Sequence, residues 1–376
     1  MRKKQAMGLA MLLAMNVALA AAPEADVEKV VTAAAKEFMA ARQAVGISIG
    51  VAHGASVYRY HAGTLSKESA RKPDDQTIYP VASLTKTFAG LLMAQAALDN
   101  KVALDDDVRK YLGAAYDNLS YEQQPVRLYH LLNHRSGLPF VLPDKPEAAP
   151  GFENDAVPFP ARIDAIVANS SKSEFYAGLR KVRLSAPPGT RFQYSNAAAQ
   201  LAGYILENTY EQSFETLVKK NIAVPFGMRD LTITLSPGQQ ARLAMGYDEN
   251  GIRQPYGPDQ FQAAGALKAS LNDMLAYARV QLAEQDAAVR LSHQPTYTSD
   301  NYAVGLNWQM LTEQGRRVFW QDGAAPGFAS LLVVQPDTGT AVILLSNELD
   351  GGTLGRLRLL ANTITKNLDR RSIAVP

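Results

Sequence analysis

Apolar residues at Val27, Val30, Val31, Ala34 and Phe38 recur at helical spacing and predict an amphipathic helix over Asp26 to Gln43. Val45 to Val51 then alternates as a strand, His53-Gly54-Ala55 reads as a turn, and Val57 to Gly63 reads as the returning strand. The Ala- and Leu-rich stretch from Leu84 to Asp99 predicts the main helix of the middle, and Asn196 to Asn208 predicts another. Pro, Gly and acidic residues crowd Pro139 to Pro160, which reads as a long loop. Near the end, Tyr302 to Met310, Arg317 to Gln321, Phe328 to Val334 and Thr340 to Ser346 predict successive strands, and Leu354 to Leu368 a last helix. Strands and helices at both ends with a helical middle predict an α+β protein. Its sheet is drawn from the first and last segments, a helical lobe at roughly 84–260 is inserted between them, and a site in the cleft is expected.

The first residues depart from this pattern. Arg2, Lys3 and Lys4 precede an apolar run from Ala6 to Ala22, broken by Asn16 and ending in Ala18-Leu19-Ala20. That reads as a secretory signal peptide over 1–22, cut after Ala20 or Ala22; the run is short for an uncleaved anchor. The expected address is therefore periplasmic or secreted, with no stable membrane anchor. Cleavage removes three positive charges from a chain of formal net charge +2 and leaves no basic block to favour nucleic acid. Residues 23–376 are long enough to rely on their core, which they must, because the chain has no cysteine. The same absence excludes a cysteine nucleophile and a thiolate metal site.

Two short motifs carry candidate chemistry. In Ser83-Leu84-Thr85-Lys86 a spacing of three puts hydroxyl and amine on one helix face. A serine needs an adjacent base, and a lysine serves if burial lowers its pKa. Taken alone, the motif also fits an N-capping serine and a solvated lysine. In Pro188-Gly189-Thr190-Arg191-Phe192-Gln193-Tyr194-Ser195-Asn196, Tyr194 can relay a proton if Lys86 stabilises its phenolate, and Asn196 can donate to Lys86 or to a substrate carbonyl. A helix cap at Ser195 or Asn196 beside a core tyrosine is the structural alternative.

With these motifs the sequence resembles the serine β-lactamase and penicillin-binding family, in the branch of class C β-lactamases, D,D-carboxypeptidases and related esterases. Leu131-Leu132-Asn133-His134-Arg135-Ser136-Gly137-Leu138-Pro139, Ala263-Ala264-Gly265-Ala266-Leu267 with Ser270, Gly305-Leu306-Asn307-Trp308 and Pro326-Gly327-Phe328 are similar to further markers of that branch, in family order. The resemblance implies a β-lactamase/transpeptidase-like fold, an antiparallel sheet flanked by helices with an all-helical lobe. It also implies a Ser83 acyl-enzyme with Tyr194 and Lys86 moving the proton, and no cofactor. The expected substrate is a small molecule or peptide with an ester or amide carbonyl. A D,D-peptidase or β-lactamase, or a non-catalytic penicillin-binding-like sensor, is the alternative.

One motif departs. Where the family has Lys or His, then Thr or Ser, then Gly, this chain reads Gln321-Asp322-Gly323, followed by Ala324 as donor of the second oxyanion N–H. Like charges about 4 Å apart repel by about 4 kcal/mol at an effective dielectric of 20. An ionised Asp322 facing the cleft therefore predicts weak turnover of carboxylate-bearing β-lactams, unless it turns away or pairs with an arginine.

Other groups read as structural. His130 and His134 have zinc-pair spacing but Leu131 stands where a metalloprotease needs Glu, so no metal site is expected. His53, His61 and His293 read as surface or packing residues, Asp105-Asp106-Asp107 as a cap, and Trp308 and Trp320 as core.

Overall fold

The computed structural model describes residues 24–40, 45–113, 115–143, 170–255 and 262–376. The leader and most of the Pro139 to Pro160 loop lie outside the described residues.

Helix α1 (Glu24–Ala40) leads into the hairpin β1 (Gly46–His53) and β2 (Ser56–Gly63). Strand β3 (Ile78–Pro80) precedes α2 (Thr85–Leu98); α3 (Leu128–Leu132) and α4 (Asn196–Tyr210) follow in the helical part. Strand β4 (Lys268–Ser270) pairs with β3 and opens α5 (Leu271–Ala283). Then come β5 (Tyr297–Ser299), β6 (Tyr302–Val304), β7 (Gln309–Glu313), β8 (Arg316–Ala325), β9 (Phe328–Gln335), β10 (Thr340–Ser346) and α6 (Thr353–Leu368). Eight of these strands form one antiparallel sheet in the order β2-β1-β10-β9-β8-β7-β6-β5. The first and last segments therefore meet where β1 pairs with β10, Ile47 opposite Ser346. This is the α+β arrangement expected from the two ends of the sequence.

The period-two pattern explains how the sheet is covered. On one face Ile47, Ile49, Trp320, Leu331, Val342 and Leu344 pack under α1 and α6. On the other, Phe319, Leu332, Ile343 and Leu345 join the core shared with α2, α4 and α5. A central strand buried on both faces reads as a nearly continuous apolar run, as β9 does, interrupted only by Ser330 before its terminal Gln335. Helix α2 is apolar all round and buried almost throughout, which suits a helix enclosed by others.

Several boundaries differ from expectation. The strand expected over Tyr302 to Met310 is two strands, because Gly305 and the left-handed Asn307 (φ 63°) turn the chain between them. The main helix begins at Thr85, after a 3-10 turn over Ala82–Leu84 that holds Ser83.

Candidate active site

The turn bearing Ser83 is fixed from three sides. The Val81 N–H donates to the Leu267 carbonyl at 3.0 Å, the Ser330 hydroxyl to the Val81 carbonyl at 2.8 Å, and the Leu267 N–H to Thr85 Oγ1 at 3.2 Å. These contacts hold Ala82 at φ 47°, a left-handed backbone that costs a non-glycine residue about 1–3 kcal/mol and turns the chain into α2. Ser83 is thereby lifted out of the helix proper and keeps some solvent exposure.

Lys86, one turn on, is fully buried. Its Nζ donates to Ser83 Oγ at 2.9 Å and to the Ala264 carbonyl at 2.6 Å, while Asn307 Nδ2 donates to the Lys86 main-chain carbonyl at 2.8 Å. Burial pulls the amine down to about 7, and the opposing pull of the Asp322 carboxylate is the smaller effect. Against an ordinary lysine that difference is roughly 5 kcal/mol disfavouring the ammonium. At neutral pH about half of the amine is therefore unprotonated, and in that form it can keep an N–H on Ala264 and accept from the serine hydroxyl in place of donating to it.

The Ser83 and Gln321 side chains flank the Tyr194 phenol closely enough to favour its ionised form, against the larger effect of burial. Its ring lies 4.3 Å from the His134 ring and 6.1 Å from the Phe140 ring, with Lys86 Nζ 5.0 Å from its centroid. Tyr194 keeps some exposed area, yet burial pushes its pKa well above the usual phenol range, and Asp322 adds to the rise. Burial thus acts in opposite senses on the two groups, favouring the protonated phenol of Tyr194 and the unprotonated amine of Lys86.

Ser195 caps α4, accepting from the Ala198 N–H at 2.9 Å and donating to the Pro139 carbonyl at 2.6 Å. Asn196 opens α4, its N–H donating to the Phe140 carbonyl at 2.8 Å. Among the described residues its side chain makes no hydrogen bond, so the expected link to Lys86 is not formed.

Strand β8 closes the other wall. A Cβ at Gly323 would lie 2.9 Å from the Ser83 nitrogen, 2.6 Å from the Val81 carbonyl oxygen and 2.5 Å from Ser330 Oγ. Only glycine lets β8 run this close to the Ser83 turn. Ala324 follows, opposite Ala329 in the ladder. Gln321 is buried on the cleft side against Tyr194. Asp322, one residue on, is corrected: it points to the opposite face, where the Arg358 guanidinium of α6 grips its Oδ2, with Nε at 3.0 Å. The period of two puts neighbours on a strand on opposite faces, so a motif that counts as three consecutive residues cannot all face one cleft.

The remaining histidines and acids are structural. His130 Nδ1 accepts the Arg127 N–H at 3.1 Å, and Asp107 caps a short turn through the Arg109 N–H at 2.9 Å. His53 and His293 are buried, as are Trp308 and Trp320. Among the described residues no cluster of His, Cys, Asp and Glu could hold a metal. The Ala264 carbonyl and Asn307 hold Lys86, and His134 backs Tyr194; these residues were noted in the sequence within motifs, but not for these contacts. A backbone acceptor leaves no mark on its own side chain, whereas Asn307 and His134 sit at left-handed positions that favour Asn and His.

A family model described as Beta-lactamase matches residues 31–363. A beta-lactamase of Pseudomonas fluorescens is 23% identical, covering 86% of this chain and 94% of that protein. An unguisins hydrolase of Aspergillus campestris is 25% identical over 86% of this chain, which spans 62% of its length. A crystal structure of a beta-lactamase/D-alanine carboxypeptidase from Yersinia pestis in complex with citrate superposes with a TM-score of 0.76 at 21% identity, over 92% of this chain and 99% of that one. The family match runs from α1 to α6, through both the sheet and the helical insertion that carry the residues above, and so the chain belongs to the beta-lactamase family and is a hydrolase of that type.

Proposed function

We propose that the protein is a serine hydrolase that cleaves ester or amide bonds through an acyl-enzyme on Ser83. The observation that carries this reading is the contact of the buried Lys86 Nζ with the Ser83 hydroxyl at 2.9 Å, with the Tyr194 ring 5.0 Å from the same amine. In the first step Ser83 Oγ attacks the carbonyl carbon as Lys86 takes its proton. The oxyanion is held by the N–H groups of Ser83 and Ala324. The carbonyl then re-forms, the bond to the leaving group breaks, and Tyr194 passes a proton to that group and is recharged from Lys86. A water, deprotonated by the same pair, hydrolyses the acyl-enzyme and restores Ser83. No cofactor is required.

The leader of residues 1–22 supports a periplasmic or secreted address. For the substrate, Asp322 is turned away and paired, so repulsion of a carboxylate no longer argues against β-lactams or D-alanine-terminated peptides. Gln321, neutral and buried on the cleft side, offers no ionic anchor for that carboxylate either, which favours uncharged esters and amides. A β-lactamase or carboxypeptidase remains the second reading, supported by the names of the Pseudomonas and Yersinia proteins. Labelling with a fluorophosphonate probe separates enzyme from sensor. Covalent modification of the wild type that disappears in Ser83→Ala is expected; folded protein that takes no label would overturn the reading. Turnover of a neutral aryl ester beside a penicillin and a D-alanyl-D-alanine peptide then ranks the substrates.

A further inference from the structure

His134 is buried, held at φ 57°, and lies in none of the steps above. Its main-chain carbonyl accepts the Gln193 N–H at 2.7 Å, and its Nδ1 accepts the Ser195 N–H at 3.3 Å. Those two donors flank Tyr194 directly. The His134 ring lies against the Tyr194 ring, 4.3 Å between centroids at 31°, and meets the exposed Phe192 edge-on at 5.9 Å. Three contacts from one residue therefore grip Gln193, Tyr194 and Ser195 in succession. The segment they grip has no strand or helix pairing of its own before α4.

We infer that His134 is a positioning residue that sets the Tyr194 phenol against Ser83 by clasping the main chain on both sides of it and backing its ring. The inference rests on the Ser83 reading proposed above. An imidazole suits the position for reasons visible in the site. Nδ1 must be unprotonated to accept from Ser195, and burial together with the neighbouring Lys86 keeps the ring neutral. The backbone needs a residue that tolerates a left-handed φ, which histidine and asparagine do better than most. A flat ring also fills the space against a second flat ring, where an aliphatic side chain would leave the phenol free to tilt. Phenol orientation matters because proton transfer demands hydrogen-bond reach and alignment, and small misplacements lower rates steeply.

The test is a double-mutant cycle read as the second-order rate of fluorophosphonate labelling and as kcat and KM on an uncharged p-nitrophenyl ester. His134→Ala removes ring and acceptor; His134→Asn keeps an acceptor and tolerates the backbone, losing only the ring. In the Tyr194 background we expect labelling and kcat to fall at least tenfold for His134→Ala and severalfold for His134→Asn, with KM nearly unchanged. In a Tyr194→Phe background both substitutions should have no further effect, because the hydroxyl they aim is gone. His134→Asn carries the test alone if the alanine variant does not fold. Equal proportional losses in the two backgrounds, or no loss in the first, would overturn the inference. Ser83→Ala run alongside separates the two failures: persistent labelling there sinks the Ser83 reading, whereas its absence with additive losses sinks only the role of His134.

Discussion

Lys86 is where burial turns into reactivity. Its amine is held near 7, so kcat/KM for a neutral ester should rise with pH through about 7 as the base loses its proton. A rate that stays flat between pH 5 and 9 would refute that assignment. Arginine cannot give up its proton, so Lys86→Arg should lower kcat by at least about a hundredfold. The same burial is a liability for the fold. With the folded value below the unfolded one, the unfolded chain binds a proton first. The cost therefore grows as pH falls from about 10 to 7, and levels off once the folded protein is protonated too. Lys86→Met removes that penalty. At pH 7 it should be inactive yet melt at the same temperature as the wild type or higher, despite losing the bond to Ala264. A melting point several degrees lower would show that the hydrogen bonds of the amine outweigh its desolvation.

Strand β8 joins the cleft to the far layer, and its two faces give separable predictions. Gly323→Ala forces a methyl into main-chain atoms that cannot rotate away, so a stability loss of about 1–3 kcal/mol and near-complete loss of labelling are expected. Asp322→Ala strips Arg358 of its partner on the α6 side. A cost of about 1 kcal/mol is expected, since both groups keep some exposure, with the preference between anionic and neutral substrates unchanged. A marked gain in penicillin turnover by that variant would show that its carboxylate reaches the cleft after all. Much of this was legible beforehand. The end helices, the hairpin and β10 follow from spacing alone, and the fold sets Lys86 Nζ 2.9 Å from Ser83 Oγ and 5.0 Å from the Tyr194 ring. What could not be read was the facing of Gln321 and Asp322. The strand expected to end at Gln321 in fact runs on to Ala325, so alternation had to be carried through residues whose small side chains give no polarity signal. The 3-10 turn at Ser83 was hidden for a related reason: Ala82 is left-handed through its surroundings and not through its own preference.

Across the whole molecule the titrating groups set the response to acid. His130 and His134 are held neutral down to about 4 and about 3, so stability is lost as pH falls below the ordinary histidine value toward those points. Glu215 and Glu284, held at about 2 by their hydrogen bonds and ion pairs, extend the loss at lower pH. Asp273, raised to about 6 by burial, works the other way between about 6 and 4. The losses outnumber the gain, so the urea midpoint should drop steadily from pH 7 to pH 3; a midpoint that rises over this interval would contradict the balance. The site itself draws on residues 83, 86, 134, 194, 264 and 321, and no contiguous fragment contains it. Here the alternation of β8 has a further bearing. Because its odd positions look toward the serine and its even ones toward the last helix, deleting a single codon between those for Val318 and Trp320 would invert every later side chain on that strand. An acid would then stand beside the tyrosine and a glycine opposite Arg358, with the amino-acid content of the protein otherwise almost unaltered.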